Sequence, residues 1–215
     1  MKCIALALGI GLLAPSLAFG QTSPSGGGVN TVPQVGVISS VANQQPTYTA
    51  GFIGLVPPAS ATDTICIAGS ATKTIAVTRI QLSGTAGTLV TLPVTLVRRA
   101  TVATGGTAAS TTANPANNIA KHDTASPTAS AVPISYTAVP SITDSSPTYL
   151  QTQSLTLPVT SAGVATVPLD WRYGNIAVGE QPLLLKGIAQ QLCLNLNTIS
   201  VSSGVLNGSI TWYEF

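Results

Sequence analysis

From Tyr48 to the end of the chain, apolar and polar residues alternate with a period of two. In "TDTICIAGS", Ile65 and Ile67 share one face and Thr64 and Cys66 the other. "LVTLPVTLVRR" sets Val90, Leu92, Val94 and Leu96 against Thr91, Pro93 and Thr95. That alternation predicts half-buried strands. "KTIAVTRIQLSG" carries Ile75, Val77, Ile80 and Leu82, so its parity shifts near Thr78 and predicts a bulge. Pro93 marks an edge strand or a second irregularity. "YLQTQSLTLPVT", "GVATVPLDW", "PLLLKG", "QLCLNLNTISV" and "GSITWYEF" continue the pattern, and turns such as "SGTAG", "TGGT" and "NG" separate them. No window after the first twenty residues shows a helical stripe of useful length. The expectation is an all-β chain of roughly nine to eleven strands. It is a β-sandwich or jelly roll with a long loop-rich insertion, preceded by a flexible N-terminal arm.

The pattern also divides the chain. "MKCIALALGIGLLAPSLAFGQ" has one Lys, a short apolar run, and Ala18 and Gly20 at signal-peptidase spacing. Residues 1–20 therefore read as a signal peptide cleaved after Gly20, too short and too early to be a membrane span. Residues 21–45 are rich in Gly, Ser, Pro and Asn and read as a flexible arm. Within it, "QVGVISSVA" places Val35, Val37, Ile38 and Val41 where a neighbouring subunit can order them as an edge strand. Residues 46–215 form one domain. Its stretch 100–149 is dominated by small residues and Pro, with strand-like islands at "NNIAKH" and "VPISYTA". It reads as a projecting loop layer at one end of the sandwich.

Composition narrows the function classes. Only 7% of the 215 residues are charged and 5% aromatic, against roughly 25% charged in an average domain. A formal net charge of +2 gives no electrostatic footprint for nucleic acid. Arg98-Arg99 is the lone basic pair, read as a solvated strand end rather than a phosphate contact. An outer-membrane barrel would need aromatic girdles that the chain lacks, and repeated Pro in the strands opposes it.

His122 is the only histidine, flanked by Lys121 and Asp123 in "NIAKHDTASPTASA". Nucleophilic catalysis needs a base with an orienting group, and His122 is the one candidate base. Zinc needs three or four His, Cys or acidic ligands at suitable spacing, and calcium needs clustered carboxylates. Asp63, Asp123, Asp144, Asp170, Glu180 and Glu214 are scattered singly. The His122 segment therefore reads as an exposed polar turn, and the chain as a non-enzyme without cofactor or metal.

The cysteines say more. Cys3 leaves with the signal, so Cys66 and Cys193 remain, both on the more polar faces of their strands. In an exported protein two such thiols favour a disulfide, closing a loop of 193 − 66 = 127 residues. In a protein retained in the cytoplasm they stay free.

The stretches "YTAGFIGLVPPASATDTICIAGSATKTIAVTRIQLSGTAG", "PVTLVRRATVATGGTAA", "LLLKGIAQQLCLNLN" and "GSITWYEF" resemble a group of β-rich, largely uncharacterised structural proteins associated with the virions of tailed bacteriophages and prophages. The likeness spans residues 48–215 through the order and flavour of the strands. It implies a non-catalytic surface or decoration role and no cofactor, and it carries over no site residues. The export signal departs from that pattern, because tailed-phage virions assemble in the cytoplasm. Two function classes follow. One is a virion structural protein that self-associates and contacts other structural subunits. The other is an exported adhesin or carbohydrate-binding sandwich, periplasmic or extracellular, for which Trp171, Arg172 and Tyr173 are the ligand-platform candidates, although a Trp at a strand end more often belongs to the core.

Overall fold

The structure is a computed structural model and describes residues 45–162, 166–201 and 203–215. The signal segment and the arm up to residue 44, with Val35, Val37, Ile38 and Val41, lie outside the described residues.

The main strands are β1 (Thr47–Leu55), β2 (Asp63–Ala68), β3 (Thr74–Thr85), β4 (Val90–Arg99), β8 (Thr148–Leu157), β9 (Leu169–Arg172), β10 (Leu183–Lys186), β11 (Gln191–Asn195) and β12 (Val205–Glu214). Between β4 and β8 stand three short strands, β5 (Thr107–Ala108), β6 (Ile119–Lys121) and β7 (Pro133–Ala138). The first half of the chain pairs with the second in inverse order. β1 lies against β12, β2 against β11, β3 against β9 and β10, and β4 against β8, all antiparallel. β12 then joins β3, and β11 joins β4. This is one long double strand rolled into two sheets, the wrapping of a jelly roll, with one strand split into β9 and β10.

The apolar parity of each strand faces the space between the sheets. Phe52, Ile65, Ile67, Ile80, Leu82, Leu92, Leu96, Leu155, Leu157, Leu194 and Trp212 are all buried there, and each such side chain contributes about 1.5–3 kcal/mol on leaving water. The bulge expected near Thr78 is present. Arg79 opposes Thr211 and Val77 opposes Trp212, so Thr78 is the extra residue. It keeps Val77 and Ile80 both inward although they differ in parity. Pro93 sits where β11 has already ended, since that pairing stops at Thr95. Its carbonyl accepts from Asn197 Nδ2 on that side, so its missing N–H interrupts no ladder.

The insertion corrects the expectation of a projecting loop layer. β6 pairs with the outer edge of β1, and β7 with the outer edge of β2. β5 extends β7. The same segment therefore adds a strand to each sheet, along one side of the sandwich rather than at its end. The two islands noted in the sequence, "NNIAKH" and "VPISYTA", contain β6 and β7. No helix of the described residues is long and apolar enough to cross a membrane.

Gly208 is required by packing. A Cβ there would stand 2.7 Å from Phe52 Cζ and collide with the carbonyl oxygen of Gln81. Gly208→Ala is expected to lower stability by about 1–3 kcal/mol, the cost of overpacking a filled core, read as a fall in thermal midpoint. An unchanged midpoint would show that Phe52 can move aside freely.

Candidate functional site

The sequence pointed to four places: the His122 turn, the two thiols, the basic pair and the Trp171 platform. His122 lies just after β6, and its amide donates to Thr47 O at 2.9 Å. Its Nε2 lies 2.8 Å from Thr49 Oγ1, which in turn is 2.9 Å from Thr211 Oγ1. Lys121 Nζ donates to Ser126 O at 2.7 Å, and Asp123 Oδ1 accepts from the Ala125 amide at 2.9 Å. Each of the three side chains thus ties down its own turn or the adjacent strand. Asp123 faces its own loop rather than orienting the imidazole, and the segment is exposed.

Cys66 and Cys193 form a disulfide. They are directly opposed on adjacent antiparallel strands, with Cα atoms 4.1 Å apart, slightly under the roughly 4.4 Å lower bound usual for such bridges. Their surroundings differ from expectation. Both sit on the outer face of the second sheet, yet both are buried, packed with Tyr136 and Ile134 of β7. The insertion has covered that face. Ala103 N donates to Gln191 Oε1 at 2.9 Å, which folds the chain after β4 back over the sheet.

Beside the bridge is a buried ion pair. Arg99 Nε and Nη2 each donate to Asp63 at 2.8 Å, and Asn195 Nδ2 donates to Asp63 Oδ1 at 2.8 Å. Hydrogen bonding to Asp63 holds the guanidinium above the ordinary arginine range against the opposing effect of burial. Arg98-Arg99 is therefore only half a solvated strand end: Arg98 is exposed, whereas the Arg99 side chain is 6% exposed. No local pattern links the two residues, because Asp63 and Arg99 are separated by 36 residues. Asp63, Cys66 and Cys193 also stand within 4.8 Å of one another. They do not suit a metal, because the sulfurs are bonded to each other and the carboxylate already accepts three hydrogen bonds.

The platform of Trp171, Arg172 and Tyr173 is not assembled at the surface. Trp171 is 2% exposed and belongs to the core between the sheets. Parity decides this, since Trp171 opposes inward-facing Ile80. Arg172 is exposed, but it joins Arg79 on Asp170. Arg79 and Arg172 are directly opposed across β3 and β9, and the shared carboxylate offsets their repulsion. The hydrogen bonds from Arg79, opposed by desolvation and reinforced by Arg172, hold the Asp170 carboxyl down to about 2. Tyr173 Oη donates to Gln151 Oε1 at 3.0 Å, and burial with the nearby Glu180 pushes the phenol up to about 12.

Sequence reasoning missed Glu214, which is 1% exposed. It accepts from the amides of Ser130 and Ala131, from Ser130 Oγ at 2.8 Å and from Trp212 Nε1 at 3.1 Å, with Lys73 Nζ at 3.4 Å. Burial pushes this carboxyl up, but the donors from Ala131, Ser130 and Trp212 outweigh it and hold the group below its usual range.

Two clefts are shallow. One of about 300 Å³ lies over Gly51, Phe52, Ile53, Thr112, Asn118 and Gly208, with no titratable side chain. The other, about 200 Å³, is lined by Arg98, Arg99, Ala100, Ser146, Thr148 and Gln190. Neither contains His122, Trp171 or Tyr173.

Replacing Cys66 and Cys193 together by Ala is expected to cost up to about 4–5 kcal/mol, given the length of the closed loop. Denaturant titration of the variant checks this, and equal midpoints would assign the bridge no stabilising role. Glu214 has a depressed folded value, so its contribution is present above the unfolded value of about 4.3 and is lost as pH falls through the folded one. Glu214→Gln is expected to lose about 2–3 kcal/mol at neutral pH. Its stability below pH 4.5 should fall less steeply with acid than that of the parent, and identical acid limbs would overturn this.

Compared with protein-family models, with curated proteins and with solved structures, the chain finds no match.

Proposed function

We propose that this chain is a non-catalytic structural subunit of a large assembly, a surface or decoration component of a bacteriophage virion. The observation that carries the reading is the use made of the polar side chains. Asp63, Asp144, Asp170 and Glu214 each accept hydrogen bonds that pin a loop or a neighbouring strand. Among the described residues, these four carboxylates hold the jelly roll together, and none of them lines either cleft. Capsid domains use this architecture, as do lectins, which is an argument from fold alone. The low charge supports the same reading, since faces covered by neighbouring copies need little charge to stay soluble. The carbohydrate-binding alternative loses its named platform, because Trp171 is in the core.

The chain is expected to be oligomeric at micromolar concentration, and deletion of residues 21–45 to lower its mass by light scattering. His122→Ala should leave mass unchanged and lower stability by no more than about 1 kcal/mol, the loss of one exposed hydrogen bond. A parent that is monomeric, or measurable turnover lost in the His122 variant, overturns the reading.

A further inference from the structure

We infer that the arm segment 34–42 of one copy adds as a strand to the outer edge of β8 in a neighbouring copy. This rests on the assembly reading and names the contact that would carry it.

The sheet edges of the described residues are unequal. β5 and β6 are edge strands of two and three residues. β9 and β10 have four residues each and carry Asp170, Arg172 and Lys186. Short length and charge both guard an edge against pairing. β8 has neither protection. It runs for ten residues, Thr148–Leu157, without a charged residue or a proline. One side pairs with β4. Among the described residues, no backbone hydrogen bond reaches the other side.

The chain itself contains a fitting occupant. The 44 residues before Gln45 include "QVGVISSVA", residues 34–42, also without charge or proline. Alternation along this stretch puts Val35, Val37 and Val41 on one face and Gly36, Ile38 and Ser40 on the other. Laid beside β8, the Val face continues the inward row of Leu155 and Leu157, which are fully buried. The other face continues the outward row of Thr152, Ser154 and Thr156, two of which already pair with Thr95 and Thr91 across the β4 side. Neither strand brings a charge that would have to be desolvated. Main-chain pairing supplies the affinity, and the Val positions supply the register.

The test is hydrogen exchange on the full-length assembly and on a chain lacking residues 21–45. The truncated chain keeps all the described strands and the whole core. Amides within 148–157 are expected to exchange at least about tenfold slower in the assembly, and a synthetic peptide of residues 33–43 should restore that protection to the truncated chain. Ser154→Lys, at an exposed position without a side-chain hydrogen bond, should weaken peptide binding about tenfold with an unchanged thermal midpoint. Mass lost on truncation without any change at β8 would place the arm elsewhere and overturn this inference while leaving the assembly reading intact. Protection of β8 in a monomeric full-length chain would mean that the arm folds back on its own copy, and overturns exchange between copies. A truncated chain that keeps the parent's mass and exchange removes the arm from assembly altogether.

Discussion

A sheet edge is a row of backbone N–H and C=O groups that must be paired, covered or guarded. Charged side chains are one guard, and here they stand on the short edge strands β9 and β10. The chain uses its own insertion on one side of the sandwich, where β6 covers β1 and β7 covers β2. That solution depends on fixing a long, small-residue segment against the body. Glu214 supplies the anchor: its buried carboxylate gathers the amides of Ser130 and Ala131 at the last strand. A buried carboxylate is tolerable because several donors surround it.

Covering the edge of β2 has a second consequence. The outer face of that sheet, polar in sequence, becomes a second small interior containing the Cys66–Cys193 bridge, Tyr136 and the Asp63–Arg99–Asn195 cluster. A buried ion pair adds little net stability over an apolar pair of the same shape, but losing one partner costs about 3–5 kcal/mol. The cluster therefore acts mainly on geometry. Asp63 starts β2, Arg99 ends β4 and Asn195 ends β11, so one carboxylate joins three strands. The disulfide locks two of the same three strands.

Local pattern revealed a good deal of this. Period-two alternation gave the inward row of nearly every main strand, and the parity change at Thr78 gave the bulge, because a side chain's face follows directly from its place in the pleat. The strand islands within 100–149 were also visible in β-branched residues. The candidate site was less legible. Trp171 is fixed inside by its parity relative to Ile80, and that pairing is not local. Arg99 adjoins Arg98 in sequence, whereas its partner Asp63 is on a different strand.

By itself the sequence determined the all-β class and the strand phases. These depend on residues a few positions apart, where pleat geometry leaves no choice. Which strands became neighbours was decided only in three dimensions. The inverse-order pairing of β1 to β4 with β8 to β12 sets Cys66 against Cys193 and places β2 and β4 on either side of β11, where Arg99 reaches Asp63. The placement of the insertion decides that a polar face is buried and that Glu214 is a hub. Burial and pairing are properties of contacts across tens of residues, and alternation along a strand specifies which face points inward without specifying what covers the other.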